Sequence, residues 1–428
     1  MEFQKHFFSD LGETIYHGIS AKGLPVYVIK KTGYAESYAL FATHFGSINR
    51  QMTFRGETEE TVLPDGIAHF LEHKMFEEPD GTDAFERFSK TGANANAYTN
   101  FDTTAYLFSC TDGFEENLRT LLDFVQTPHY TEQNVAKEQG IIGQEIRMYD
   151  DDPEWVAYFN CLQALYHQHP VRIDIAGTVE SIAEITPELL YRCHESFYHP
   201  GNMALIVAGD VDPNRVGVIV DEMIRTDAKP AISETFPEEP QTVLSHEANA
   251  HLAVSLPLFQ LGFKDMPETT PQGLLHQRLC AVLAMHLLTS ESGKLHQDLY
   301  ENGHIFAPLM AECMSHPSYF CVLIGGESED PKLVRDRIIQ AAGRLAEDPE
   351  FERDFQRVKK NAYGSFVKLF DHVDHVAGQQ LRFFLDGVDM ADYLPALNTI
   401  TAQDIKDYLK TRFTADKSAL SIVWPKED

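Results

Sequence analysis

No stretch of this 428-residue chain reaches the ~18 uncharged apolar residues that a membrane-crossing helix requires. Basic residues are scarce: 35 Lys and Arg stand against 65 Asp and Glu, a formal net charge of −30. A surface of that sign repels phosphate backbones and anionic headgroups, so neither nucleic acid nor membrane is an expected partner, whereas a basic or neutral peptide is not repelled. The six cysteines, Cys110, Cys161, Cys193, Cys280, Cys313 and Cys321, include no CxxC pair, which argues against a thiolate zinc knuckle or a dense disulfide framework. The opening residues, MEFQKHFFSDLGETIYHG, lack the basic start and unbroken apolar run of a secretory signal. Free thiols in a reducing cytoplasm are the expectation.

What is present is an ordinary globular composition, long enough for two domains of about 200 residues each. Residues 24–31 (LPVYVIKK) and 38–44 (YALFATH) read as two strands of a meander, and residues 97–110 as a further strand pair. Helical patterns follow at 113–126, 131–149 and 153–167, and residues 202–212 (NMALIVAGDVD) return to strand. Strands and helices come in clusters, which predicts an α+β fold rather than a strictly alternating parallel one.

Residues 226–241, TDAKPAISETFPEEPQ, hold three prolines and no periodic apolar face, and read as a linker. The expected domains are therefore 1–225 and 242–428. An internal repeat supports duplication. Ile185, Thr186, Leu190, Tyr198, Ala204, Leu205 and Val207 recur as Ile400, Thr401, Ile405, Phe413, Ala419, Leu420 and Ile422, each pair 215 residues apart. At that offset the counterpart of residues 69–73 is AMHLL (284–288), with a single histidine, His286, and no acid at ligand spacing. The second half is expected to keep the scaffold without the chemistry of the first.

That chemistry lies in residues 63–76, LPDGIAHFLEHKMF, predicted as a helix capped by Asp65 after Pro64. At 100° per residue, Ile67, Phe70 and Leu71 fall on one side, and His69, Glu72, His73 and Phe76 share an arc on the other. Two imidazoles four residues apart can reach one ion from successive turns. Glu72 then projects beside the open position of a catalytic zinc, which needs three protein ligands. Bound zinc lowers the pKa of water toward ~7, and an adjacent carboxylate can take that proton and return it to a leaving amine. In residues 134–155 Glu138 and Glu145 are seven apart, so they face the same way on a helix; one can bind the metal while the other supports its ligands. A bare HxxEH also occurs on ordinary surface helices, and the downstream acid pair is what sets this one apart.

HFLEHKMFEEPDG, GANANAYTNFDTTAYLFS, EQGIIGQEIRMYDDDP, HPVRIDIAGTVESIAEIT and SFYHPGNMALIVAGDVD together closely resemble the pitrilysin family of inverted zincins, which includes insulysin and the mitochondrial processing peptidases. The likeness is strong over about residues 15–215, and the chain is most similar to the short bacterial two-domain zinc peptidases. The resemblance implies two homologous αβ domains, each a mainly antiparallel sheet packed with helices and together forming half of a clamshell. It implies a zinc-dependent endopeptidase with His69, His73 and Glu145 as ligands, Glu72 as general base and Glu138 as the acid behind the ligands. It also implies that Asn96, Ala97 and Tyr98 form an edge strand on which substrate peptides are added. One departure stands out. Where family members carry Arg and Tyr in a segment like LRxxxGLAY, residues 299–307 here read LYENGHIFA, with Tyr300 and Phe306 at those places. Phe306 has no hydroxyl to donate to an oxyanion. Two further readings follow: a homodimer, or a heterodimer with a paralogous chain lacking HxxEH, and, as the alternative function, a non-catalytic peptide-binding or scaffold subunit.

Overall fold

The computed structural model describes residues 1–8, 11–230 and 232–426. Among them, fifteen strands run in chain order as β1 (Phe3–Phe8), β2 (Glu13–Ile19), β3 (Pro25–Lys30), β4 (Ser37–Thr43), β5 (Gln51–Thr53), β6 (Thr61–Val62), β7 (Asn94–Thr99), β8 (Thr104–Cys110), β9 (Met203–Gly209), β10 (Ser233–Glu234), β11 (Glu247–Leu252), β12 (Leu258–Asp265), β13 (Met310–His316), β14 (Tyr319–Glu327) and β15 (Ser418–Pro425). They form a seven-stranded sheet β1-β2-β3-β9-β4-β8-β7, a five-stranded sheet β11-β15-β12-β14-β13 and a small sheet β10-β5-β6. The fold is α+β, as the clustering of patterns predicted, and each large sheet is packed with helices. No described helix is long and apolar enough to cross a membrane.

The expected meander of β3 and β4 is not formed, because β9 lies between them, parallel to β3 and antiparallel to β4. Every residue of β9, MALIVAG, is buried. A strand apolar on both faces belongs in the middle of a covered sheet, and local sequence cannot show which strands it will part. At the other extreme, β7 (NANAYT) is an edge strand of that sheet, and its first four residues alternate exposed with half-buried positions, as an edge does.

The 215-residue repeat is a repeat of topology. β3-β9-β4-β8-β7 and β11-β15-β12-β14-β13 run in the same order, each with one parallel pair, β3 with β9 and β11 with β15. Thr186 and Thr401 each cap a helix by accepting a hydrogen bond from a backbone N–H three residues on. Those helices, Pro187–Phe197 and Ala402–Arg412, end at Tyr198 and Phe413 with nearly identical backbone angles, φ −95° and −91°, ψ 63° and 62°. Cap, break and strand recur because the residues that specify them recur.

The chain packs as two compact units, one of Met1–Ile146, Asp174–Thr235 and Val367–Leu385, the other of Arg147–Ile173, Phe236–Phe366 and Asp386–Asp428. Division into continuous halves, 1–225 and 242–428 joined by 226–241, therefore describes the order of the chain and not its packing. The helix Pro153–Leu165 packs on β11, β12 and β15, while Val373–Leu385 packs on β3, β4 and β9. Gly262 shows why the first seats so closely: a Cβ there would lie 2.5 Å from Leu165 Cδ1 and 2.8 Å from Cys161 Sγ. The expected linker does contain one of the five passages between units, after Thr235, yet it is not free chain. Glu234 pairs with β5, and Glu239 accepts the backbone N–H groups of His167, Gln168 and His169 while bonding the buried Lys264 ammonium at 2.6 Å.

Candidate metal centre

The helix that carries the HxxEH segment spans Ile67–Lys74. Ile67, Ala68, Phe70 and Leu71 are buried in the apolar core of their unit, which fixes the helix's rotation and leaves His69 and His73 on the opposite face. Phe76 lies just beyond the helix end, where it stacks on Phe85 and lines the same cleft as Glu72 and His73. Asp65 is not the cap. That position is Gly66, at φ +87° and without a side-chain cap, while the Asp65 carboxylate pairs with Arg50. A Cβ on Gly66 would stand 2.3 Å from the Ala176 carbonyl oxygen, so only glycine fits both the left-handed backbone and the close approach of residues 174–177. Ser181 Oγ donates to the Asp65 carbonyl at 2.9 Å and completes this clamp on the helix start.

The second contributor is the helix Glu132–Asp150, with Val135, Glu138, Ile142 and Ile146 buried. Its seven-residue spacing brings Glu138 and Glu145 onto the histidine face as predicted. Glu145 reaches both imidazoles, with Oε1 3.7 Å from His69 Nε2 and Oε2 3.6 Å from His73 Nε2. The His69 and His73 rings lie 4.6 Å apart at 63°. One donor atom from each of His69, His73 and Glu145 falls within 4.8 Å of the others. A tetrahedral shell with bonds of about 2.0–2.2 Å places its donors roughly 3.3–3.6 Å apart, so this set fits zinc.

Behind this donor set, His73 Nδ1–H donates to the Glu138 carboxylate at 3.1 Å, which turns Nε2 toward Glu145. Glu138 is in turn 3.5 Å from the fully buried Lys74 ammonium, which also bonds Glu77 at 2.5 Å. Glu138→Gln keeps the shape of this support and removes its charge. Its expected effect is a 10–100-fold weaker metal affinity, read by chelator competition; unchanged affinity would show that Glu138 does not act on His73.

The environment separates the two imidazoles. Burial, followed by the charge of His73, pushes His69 down to about 4, so its ring is neutral near pH 7. Burial also opposes a charge on His73, but the bond to Glu138 and the carboxylates of Glu72 and Glu145 outweigh it and raise its pKa. Glu138 is buried too, yet His73 and Lys74 hold it below the ordinary carboxylate range. Burial raises the proton affinity of Glu72 above the usual value, against the pull of a hydrogen bond from Thr99. Glu72 thus stands beside the donor set as a buried carboxylate of raised basicity.

A cleft of about 450 Å³ opens at the site, lined in part by Glu72, His73, Phe76, Asn96, Ala97 and Ile141. Asn96 is exposed on β7, and its amide oxygen accepts the Ala97 N–H at 2.9 Å, while its amide NH₂ has no partner among the described residues. Tyr98, half-buried on the same strand, has its hydroxyl pKa pushed up to about 12, by burial first and then by Asp102. Tyr300 and Phe306 lie in the other unit, both more than half exposed. His372, Asp374 and His375 also bring one donor atom each within 4.8 Å of the others, but all three are exposed. Sequence reasoning missed Lys74 and Thr99. The one signal for Thr99 was a pair of threonines, Thr99 and Thr104, flanking a turn between two predicted strands.

Residues 55–179 match the family model described as Insulinase (Peptidase family M16), and residues 184–362 match the one described as Peptidase M16 inactive domain. A Bacillus subtilis (strain 168) protein named "Uncharacterized zinc protease YmfH" is 39% identical over 98% of this chain and 98% of its own. The protein described as "putative M16-like peptidase from Alicyclobacillus acidocaldarius" has a crystal structure that superposes with a TM-score of 0.91 at 34% identity, over 100% of this chain and 99% of that one. Pitrilysin shares the fold, with a TM-score of 0.76 at 15% identity, over all of this chain and 47% of its own. With two family models covering most of the chain and a relative that matches almost end to end, this chain belongs to peptidase family M16, the insulinase family.

Proposed function

We propose that this chain is a zinc-dependent endopeptidase acting on unfolded peptides or small proteins. The observation that carries the reading is the convergence of His69, His73 and Glu145 on one point with the buried carboxylate of Glu72 alongside. Zinc held by those three residues would supply Lewis-acid polarisation and a water acidified toward neutral pH. Glu72 takes the proton of the attacking water and hands it to the leaving amine, a role that its raised proton affinity suits. Glu138, bonded to His73, keeps that ring oriented. The open edge of β7 takes the peptide backbone as an added strand, with the Asn96 amide donating to it. On this reading the chain works in the cytoplasm. Metal analysis together with cleavage of a quenched peptide tests the reading; no stoichiometric zinc, and cleavage that Glu72→Gln leaves intact, would refute it.

A second reading, a peptide-binding or scaffold subunit without turnover, is favoured by one observation, the phenylalanine at position 306. The two readings divide on whether a peptide that binds along β7 is also cut. Phe306 bears on the partner as well. A homodimer would hold two zinc sites and no hydroxyl at that position, whereas a paralogous chain that lacks HxxEH but keeps Arg and Tyr would complete one site. The heterodimer is the assembly proposed, with the symmetric homodimer as its competitor. In a mixing assay the paralogue should raise the rate of peptide cleavage at constant zinc; a purified chain that cleaves as fast alone would rule the heterodimer out.

A further inference from the structure

Thr99 closes β7, directly opposite Thr104 at the start of β8, and both side chains are buried. The backbone between them turns tightly, with Asn100 N–H donating to the Thr103 carbonyl at 2.7 Å. Thr104 Oγ1 donates to the Phe45 carbonyl at 2.8 Å, so its only proton is committed and its oxygen can only accept. Thr99 Oγ1 lies 3.3 Å from Thr104 Oγ1 and 2.6 Å from Glu72 Oε2. A hydroxyl has one proton, and a carboxylate at 2.6 Å is a stronger acceptor than a neutral hydroxyl at 3.3 Å, so the proton goes to Glu72.

We propose that Thr99 is a positioning residue for the general base: its hydroxyl pins one oxygen of Glu72 and leaves the other aimed at the reacting water. The inference rests on the proposed function. A glutamate side chain turns about three bonds, whereas a β-branched threonine on a paired strand is stiff at χ1, so the bond transfers the rigidity of the sheet to the base. The strand in question also carries Asn96, Ala97 and Tyr98. The surface that takes the peptide and the hydroxyl that sets the base are therefore parts of one rigid element, and the distance from scissile carbonyl to base is fixed by β7 itself. Misplacement of a reacting group by about 1 Å can cost roughly 10²-fold in rate.

Thr99→Val removes the hydroxyl and keeps the branched shape; Thr99→Ala removes it without demanding space; Thr99→Ser keeps it. The two variants without hydroxyl should lose about 10–100-fold in kcat at unchanged KM, zinc content and melting temperature, and Thr99→Ser should recover most of the loss. If Val and Ala keep wild-type kcat, or if Ser falls as far as they do, the hydroxyl does not position the base and the proposal is overturned. Glu72→Gln measured beside them separates the two levels: cleavage that survives it removes Glu72 as the base on which this proposal rests, while its loss with Thr99→Val unaffected refutes only the role of Thr99.

Discussion

Glu72→Gln is expected to lower kcat by about 10²–10⁴-fold while zinc stays bound, because the substitution keeps the shape of the side chain and removes only its capacity to take a proton. Glu72 is buried beside the donor set and is not one of the three residues that converge on the metal position, so the ion should be indifferent to the change. Stopped assays on a quenched peptide, run at matched zinc content, give the ratio directly. A loss of metal in this variant would assign Glu72 to the ligands instead, and a rate within a few-fold of wild type would remove it from the chemistry.

His73→Ala is expected to abolish stoichiometric zinc binding and, with it, cleavage, since two remaining donors cannot hold a catalytic ion. In the unsubstituted protein the two imidazoles should answer pH differently. His69, pushed down to about 4, carries no proton at pH 6.5 and has none to lose when metal enters. His73 is raised above the ordinary value of 6.5, so near that pH it is largely protonated and must release its proton first. Protons compete with zinc at His73, and the sign is a weakening of affinity as pH falls. The weakening should begin above 6.5 and approach roughly tenfold per pH unit for a single competing proton. Calorimetry in buffers of different ionisation enthalpy counts the protons released; none released at pH 6.5 would contradict this account of His73.

Much of the site was legible because it depends on the α-helix alone. His69 and His73 are one turn apart and Glu138 and Glu145 two turns apart, so side-chain direction follows from the backbone period whatever the rest of the chain does. The edge strand carrying Asn96 to Tyr98 was legible through resemblance, and β7 is indeed outermost. The cap was not. Asp65 has the right chemistry, but the carbonyl of Ala176, more than a hundred residues away, comes so close that the position must be glycine, and Arg50 takes the carboxylate. Thr99 was likewise invisible as a partner of Glu72, because the two meet only when the strand and the helix are packed together.

The sequence by itself determined the α+β class, the duplication, the pair of helices that carry the candidate metal donors and the side of each helix on which those residues lie. All of these follow from periodicity, capping residues and spacing within a few turns of chain, where bond geometry leaves little choice. Only the tertiary structure decided that β9 parts β3 from β4, that the helices Pro153–Leu165 and Val373–Leu385 each pack on the sheet of the other half, and that Glu72 is pinned by Thr99. Those outcomes are choices among apolar surfaces that look alike in sequence. They are settled by which pairing buries the most apolar surface and leaves the fewest buried polar groups without a partner, and that comparison exists only once distant parts of the chain are in contact.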